Sequence, residues 1–300
     1  MRFKEVFAIV FLLFFITSMT LYFVPFNTLT FLSNSGDYNF SNHEKSSMQF
    51  YPNLRFSSSN ISYRIDNCHI GKKNEIEYAF SIVKNLTSLN FYPVTKNEDI
   101  SVTCDEKNVV RNGLFIAGEG GPTNITSTGE FNLITHAEIL LIKESNCPRP
   151  NIALHELFHA LGFEHSTNQK NVMFNVTDCD QEIGQDMIQE INNLYSYPSF
   201  PDLIIQNASA IMNGRFLTLE MTALNIGLNN AGKSKIEIYL DNTPLKEINL
   251  TSIDAGYGRT ITIENLFVTK LNFHRINLLL LADFNELSKD NNNISLEIKK

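Results

Sequence analysis

The sequence predicts an α/β domain with a mixed five-stranded sheet and three helices, followed by an all-β, immunoglobulin-like sandwich, behind an N-terminal transmembrane helix. Three observations support this prediction. Residues 6–24 are nineteen uncharged, mostly apolar positions. Strand-like and helix-like hydrophobic patterns alternate through residues 59–198, which is typical of an α/β domain. Residues 201–300 contain only short strand patterns separated by turn residues, which is typical of a sandwich.

Four segments are therefore expected along the 300 residues, a length that holds two modest domains with real cores. The expected boundaries are 1–26 for the membrane segment, 27–58 for a stalk, 59–198 for the first domain and 201–300 for the second. The stalk is assigned because its residues are rich in Ser, Asn and Phe, carry little charge and follow neither the helix period nor the strand period.

The apolar run at residues 6–24 is long enough to span a bilayer as a helix, and Arg2 and Lys4 before it favour a cytoplasmic N-terminus. A cleaved signal peptide with its apolar core at residues 6–16 is the alternative. We favour an uncleaved single-pass anchor in the cell membrane, because residues 18–20 (S-M-T) make a poor cleavage site. Both interpretations place the remaining chain outside the cytoplasm, and cleavage near residue 20 would make the protein secreted.

Composition supports an exported protein and excludes one class of partner. The net charge of −8 and the absence of a Lys/Arg cluster argue against nucleic-acid binding. The four cysteines form no C-x-x-C pair, so two disulfides fit an exported chain better than a zinc ribbon does. N-x-[ST] sequons permit surface glycosylation, and they lie at Asn39, Asn60, Asn85, Asn124, Asn175, Asn207, Asn249 and Asn293.

The elements of the first domain follow from hydrophobic spacing. Ile76, Phe80 and Val83 recur at helical intervals, whereas residues 61–65 alternate as a half-buried strand does. Strands are expected over 61–65, 90–94, 100–104, 114–117 and 133–143, and helices over 73–89, from residue 150 onwards, and over 180–196.

A cluster of histidines dominates residues 150–165, which read P-N-I-A-L-H-E-L-F-H-A-L-G-F-E-H. His155 and His159 are four residues apart, so on a helix they lie about 40° apart in azimuth and share one face. His165 would lie about 240° further round the same helix, on the wrong side to share a metal. Gly162 is therefore expected to break the helix with a positive φ and to let the chain turn back.

Three neutral imidazoles leave the fourth tetrahedral position of Zn²⁺ to water, which is the open arrangement of a catalytic site. Glu156, beside the first histidine, would then act as general base towards that zinc-bound water. A buried helix with incidental histidines is the alternative. Only seven histidines occur in the chain and three of them fall on this spacing, which favours the metal site.

The extended spacing H-E-x-x-H-x-x-G-x-x-H resembles that of the metzincin zinc endopeptidases, and residues 59–197 resemble their matrixin type. The resemblance implies one catalytic zinc held by His155, His159 and His165. It also implies that Met173, eight residues after the third histidine, forms the apolar floor of a Met-turn, although an ordinary core methionine predicts the same burial. Calcium stays open, because the ligands of the additional metal sites of animal matrixins have no evident counterparts. Further carriers of the resemblance are residues 62–65 (S-Y-R-I), Ala79, Phe80, Asn90, Phe91, Asp99, Ile100, 185–188 (Q-D-M-I), Leu194 and Tyr195.

Matrixin topology also implies a disulfide pairing. Cys68 would pair with Cys104 and Cys147 with Cys179, one of three ways to pair four cysteines. An extended substrate is expected to add to a free edge strand near Ala117, Gly118 and Glu119, because strand addition satisfies backbone groups without demanding a particular sequence.

The second domain shows strand patterns at residues 216–224, 235–240, 259–263 and 275–282, which predicts a seven-stranded sandwich. Its turn residues resemble the CARDB family of immunoglobulin-like adhesion modules on prokaryotic surface proteins. The resemblance implies a partner on the cell surface or envelope, and it is carried by residues 201–203 (P-D-L), 225–227 (N-I-G), 231–232 (A-G), 255–256 (A-G) and 290–293 (D-N-N-N).

The sequence thus predicts a zinc metalloendopeptidase that hydrolyses extracellular proteins or peptides. The alternative is a surface adhesion or scaffold protein whose zinc site is not catalytic. Glu156 discriminates between the two, because a purely structural zinc has no use for a carboxylate at that position.

Overall fold

The computed structural model describes residues 3–23, 28–33, 48–107, 110–111, 114–270 and 272–298. The N-terminal part contains helix α1 (Phe3–Phe23) and strand β1 (Thr28–Ser33). The first domain contains β2 (Leu54–Phe56), β3 (Asn60–Asp66), α2 (Ile70–Leu86), β4 (Asn90–Pro93), β5 (Ile100–Cys104), β6 (Val110–Arg111), β7 (Leu114–Phe115), β8 (Gly118–Ser127), β9 (Asn132–Leu141), α3 (Asn151–Ala160) and α4 (Gln185–Leu194). The second contains β10 (Leu203–Asn213), β11 (Phe216–Asn225), β12 (Ser234–Leu240), β13 (Thr243–Leu250), β14 (Gly258–Phe267), β15 (Arg275–Ala282) and β16 (Asn293–Ile298).

The sheet of the first domain has six strands rather than the five predicted. Its order is β2-β9-β5-β3-β4, and β8 pairs with β9 as the antiparallel member of an otherwise parallel sheet. The prediction missed β2 because three residues are too few to show a period. It also placed a strand at 114–117, whereas the edge strand begins at Gly118 and runs through residues that read as a turn because of their glycines and Pro122. Residues 114–115 belong instead to a short hairpin.

One face of α2 is buried in the same core as this sheet. Ile76, Ala79, Phe80 and Val83 are buried at helical spacing, and the Phe80 ring stacks on Tyr63 with centroids 4.3 Å apart. Both predicted disulfides are confirmed: Cys68 pairs with Cys104 and Cys147 with Cys179. The first closes β3 against the end of β5, and the second fixes the chain that precedes α3.

The prediction of a transmembrane helix is wrong. Phe3–Phe23 is helical, but no helix in the described part of the chain is long and apolar enough to cross a membrane. The run that the sequence shows as mostly apolar includes Thr17, Ser18 and Thr20, whose hydroxyl groups lower its mean hydropathy.

The segment predicted as a stalk contributes to both domains. Thr28–Ser33 forms a strand that pairs antiparallel with β10 on one side and with β16 on the other. Residues 48–58 belong to the first domain, since they include β2, and residues 34–47 lie outside the described residues. The composition of 27–58 concealed this role because only one short strand of it is amphipathic.

The second domain consequently has eight strands rather than seven. They form one continuous sheet in the order β13-β12-β15-β16-β1-β10-β11-β14, with β1 joining its two halves. Apolar residues of both halves belong to one core, so the halves pack face to face. Phe31 on β1 is fully buried in this core, and its ring stacks on Phe273 with centroids 5.6 Å apart.

The two domains share a small apolar interface. Phe131 and Leu133 of the first domain pack with Leu228 of the second. Gly256 takes a φ of +79°, and a Cβ there would lie 2.5 Å from the Thr126 methyl group. The turn at residue 256 therefore abuts the end of the edge strand.

We expect Phe31→Ala to destabilise the second domain by about 3–5 kcal/mol, because it opens a cavity in a fully buried core. Leu32→Ala is the matched control, since Leu32 is on the same strand but 46% exposed. Calorimetric unfolding of the full chain measures both. Equal, small effects of the two substitutions would show that β1 is not part of this domain.

Candidate metal centre and substrate cleft

Helix α3 carries His155, Glu156 and His159, and it is buried over its whole length. Its first residue, Asn151, donates from Nδ2 to the Asp178 carbonyl oxygen at 2.7 Å, which ties the helix start to the loop before α4. A helix buried on all sides is held by packing rather than by its own propensity. The two histidines are therefore presented by a rigid element.

The end of α3 is a Schellman motif at Gly162. The Phe163 N–H donates to the Phe158 carbonyl oxygen at 3.0 Å, and the Gly162 N–H donates to the His159 carbonyl oxygen at 2.9 Å. Gly162 has a φ of +97°, the positive value that the sequence predicts. The rings of Phe158 and Phe163 meet edge to face at 5.9 Å, which supplies the apolar contact that accompanies this motif.

A short segment that the sequence prediction missed braces this turn. The Phe50 N–H donates to the Gly162 carbonyl oxygen at 3.0 Å, and the Glu164 N–H donates to the Met48 carbonyl oxygen at 2.8 Å. The Phe50 ring stacks on the His159 imidazole with centroids 5.8 Å apart. Residues 48–50 therefore support the chain just before His165 and cover one face of a candidate ligand.

The three histidines of the motif converge on one point. His159 Nε2 lies 3.0 Å from His155 Nε2 and 3.2 Å from His165 Nε2. A tetrahedral zinc with bonds of 2.0–2.1 Å would separate its nitrogen ligands by about 3.3 Å. Among the described residues, these three form the one group of three or more His, Cys, Asp or Glu side chains whose ligand atoms all lie within 4.8 Å of one another.

Backbone carbonyls fix the tautomers of two of these imidazoles. His155 Nδ1 donates to the Val172 carbonyl oxygen and His159 Nδ1 to that of Phe163, both at 2.7 Å. Each Nε2 therefore keeps its lone pair for a metal. Burial lowers the pKa of His155. Burial and the nearby His155 ring lower the pKa of His159 to about 4. Both rings are therefore neutral at pH 7. Three imidazole nitrogen donors fit Zn²⁺ and do not fit Ca²⁺ or Mg²⁺.

Met173 lies in a tight turn of the chain after His165. The Phe174 N–H donates to the Asn171 carbonyl oxygen at 2.9 Å, and Met173 is only 1% exposed. The turn also holds the third histidine, because the Ser166 N–H donates to the Met173 carbonyl oxygen at 2.8 Å. Burial of Met173 is what both a Met-turn and an ordinary core methionine predict, so its role as an apolar floor stays a prediction.

Glu156 lies between the histidines and the edge strand. It is 5% exposed, and burial, reinforced by Glu119, raises the pKa of its carboxyl to about 8. A Cβ on Gly118 would lie 2.6 Å from Glu156 Cγ, and a Cβ on Gly120 would overlap the Glu156 carbonyl oxygen. These two glycines are therefore required for β8 to lie against α3.

A cleft of about 970 Å³ opens between β8 and the histidines. Ala117, Gly118 and Glu119 line it, as do all three histidines and Glu156. Among the described strands β8 pairs only with β9, so its outer edge faces this cleft. Ala117 precedes the strand, and its carbonyl oxygen already accepts the N–H groups of Ile142 and Lys143. Ala117 is thus already paired, and the strand itself begins at Gly118.

Sequence reasoning did not assign the other residues that line the cleft. They include residues 175–177 (N-V-T) and 143–146 (K-E-S-N). They occur in loops without a periodic pattern, so only the proximity of residues 175–177 to Met173 could have indicated them.

The comparisons with known proteins match each domain to a family. Residues 55–196 match the family model described as Matrixin, and residues 200–295 match that of CARDB, so both resemblances are confirmed. No curated protein matches the chain. A crystal structure of the CARDB domain of a Pyrococcus furiosus protein in complex with di-metal ions aligns with 33% of this chain and 88% of that one, at 20% identity and a TM-score of 0.26.

We expect the chain to bind one zinc ion and His165→Ala to weaken that binding by about 100-fold or more, because a three-ligand site loses a ligand. His274→Ala is the control, since His274 is exposed in the second domain. Metal content after dialysis against a competing chelator measures both. Equal zinc retention by the two variants would contradict the assignment.

Proposed function

We propose that this chain, in which residues 55–196 are a matrixin domain and residues 200–295 a CARDB domain, is a zinc-dependent endopeptidase of extracellular proteins or peptides. One observation carries the proposal. Three imidazoles converge through their Nε2 atoms, and a buried carboxyl, Glu156, lines the same cleft. This combination has a use in hydrolysis and none in a closed structural site.

The first role of the protein is to hold the metal. His155, His159 and His165 would bind it, and the carbonyl oxygens of Val172 and Phe163 orient two of the rings. When bound, zinc supplies a Lewis acid that polarises the scissile carbonyl and makes water a stronger nucleophile at neutral pH.

The second role belongs to Glu156. Its carboxylate takes a proton from the attacking water as the new C–O bond forms, and it returns that proton to the nitrogen of the leaving amine as the C–N bond breaks. Burial raises the pKa of this carboxyl to about 8 in the metal-free protein. The charge of a bound zinc ion would lower that pKa, so the carboxylate needed to accept the proton of water would be available at neutral pH.

The third role is to align the substrate. An extended peptide would pair with the outer edge of β8 from Gly118 onwards, so backbone hydrogen bonds would position the scissile bond without demanding a particular sequence. Side-chain preference would then come from residues 175–177, which line the cleft. Two disulfides support a location outside the cytoplasm. The CARDB domain would engage a partner on the cell surface or envelope.

The test is cleavage of a casein-like protein by the full chain and by Glu156→Gln. We expect the substitution to lower the cleavage rate by about 10³-fold, because it removes the general base, and to leave one zinc bound per chain. Chelation should abolish cleavage by the unmodified chain, and added zinc should restore it.

Glu164→Gln is the matched control. It makes the same chemical change eight residues later in the chain, at an exposed position near the same histidines. It should cleave at the unmodified rate. Undiminished cleavage by Glu156→Gln would refute the assigned base. Zinc-loaded chain that cleaves no peptide in a degenerate library would favour the adhesion or scaffold function.

A further inference from the structure

A second cluster of buried polar groups lies in the CARDB domain, at the end that adjoins the matrixin domain. It consists of Asp202, just before β10, and of Glu286, Asn291 and Asn292 in the loop between β15 and β16. These side chains are 0%, 9%, 2% and 6% exposed, respectively. Leu287, next to Glu286, packs into the apolar cluster that joins the two domains.

Hydrogen bonds join the four side chains into one network. Asn291 Nδ2 donates to Asp202 Oδ1 at 3.0 Å, and Asn292 Nδ2 donates to Glu286 Oε2 at 2.8 Å. The N–H of Leu203, the residue after Asp202, donates to Glu286 Oε1 at 3.0 Å. The two carboxyl groups are therefore neighbours, and each carries one asparagine amide.

Three oxygens of this network have no hydrogen-bond partner among the described residues: Asp202 Oδ2, Asn291 Oδ1 and Asn292 Oδ1. A buried oxygen without a partner costs free energy, and native structures contain few of them. Each is on a side chain whose other polar atom is already held in the cluster. In the part of the chain that the structure describes, these three buried oxygens therefore lack a hydrogen-bond donor or a cation to interact with.

The charge of the cluster is also unbalanced. The side-chain and backbone donors that reach the carboxyl groups are neutral amides, so they do not cancel two negative charges. Burial raises the pKa of Asp202 to about 6 and the Glu286 carboxylate adds to the rise, while the Asn291 amide and the Ser288 N–H oppose it. Added positive charge would therefore stabilise this part of the fold.

We propose that Asp202, Glu286, Asn291 and Asn292 form a calcium site. Carboxylate and carboxamide oxygens are the ligands that Ca²⁺ prefers, and the cluster contains no imidazole or thiolate that would favour zinc. A divalent cation balances both carboxylates and gives the three unpartnered oxygens a ligand role. Because Asp202 and the loop are far apart in sequence, the ion would fasten the loop to the start of β10 beside the domain interface.

The test is calorimetric unfolding of the full, zinc-loaded chain, first freed of calcium with a calcium-selective chelator and then titrated with CaCl₂. Extracellular calcium modules bind with dissociation constants of about 10⁻⁴–10⁻³ M. We expect 10 mM CaCl₂ to raise the unfolding midpoint of the CARDB domain by about 5 °C or more, and MgCl₂ to raise it less.

Asp202→Asn keeps the shape of the side chain and removes its charge, so it should lose most of the calcium-induced shift. Asp254→Asn makes the same change at an exposed position of the same domain and should keep the shift. Titration calorimetry of the unmodified chain should give one calcium per chain, whatever the stability of the variants. No calcium-dependent heat or midpoint shift in the unmodified chain would overturn the proposal, and so would an undiminished shift in Asp202→Asn.

Discussion

The candidate metal centre depends on the turn that ends helix α3. A continuous helix would carry His165 away from His155 and His159, whereas the Schellman motif at Gly162 reverses the chain within three residues. The same turn presents the Phe163 carbonyl oxygen to His159 Nδ1, so it also selects the tautomer of the second ligand. The backbone conformation at Gly162 thus ends the helix, orients the His159 ring and brings His165 back towards the other two histidines. A side chain at residue 162 would meet both an unfavourable φ and the Leu54 side chain.

Close packing of the edge strand on the helix is the second constraint. Gly118 and Gly120 let β8 lie directly against Glu156, and this contact removes the carboxyl from water. The raised pKa of Glu156 is a consequence of that burial. The strand that would bind substrate and the residue that would move the proton are therefore positioned by the same contact, which links substrate alignment to the chemistry.

The local parts of this arrangement could be predicted from the sequence, because helical geometry fixes where residues four apart must lie. His155, His159 and the need for a turn at Gly162 belong to this class. The disulfide pairing joins distant residues and was predicted only because the matrixin resemblance implies it. The other parts that depend on distant partners could not be predicted. Residues 48–50 brace the turn through backbone hydrogen bonds that carry no sequence pattern, and Phe31 enters the core of a domain that begins about 170 residues later. The edge strand was missed for a related reason, since glycines that permit close approach to a helix look like turn residues when that helix is unknown.

The chain before residue 54 connects the two folded units, because β1 lies within the second domain and residues 48–50 contact the turn beside the metal ligands. X-ray absorption at the zinc edge of the zinc-loaded chain tests most directly whether this framework brings three histidines to one ion. The account predicts three imidazole nitrogens at about 2.0 Å and one further light atom. A spectrum with two or fewer imidazoles would show that the third histidine does not reach the metal and would contradict the account.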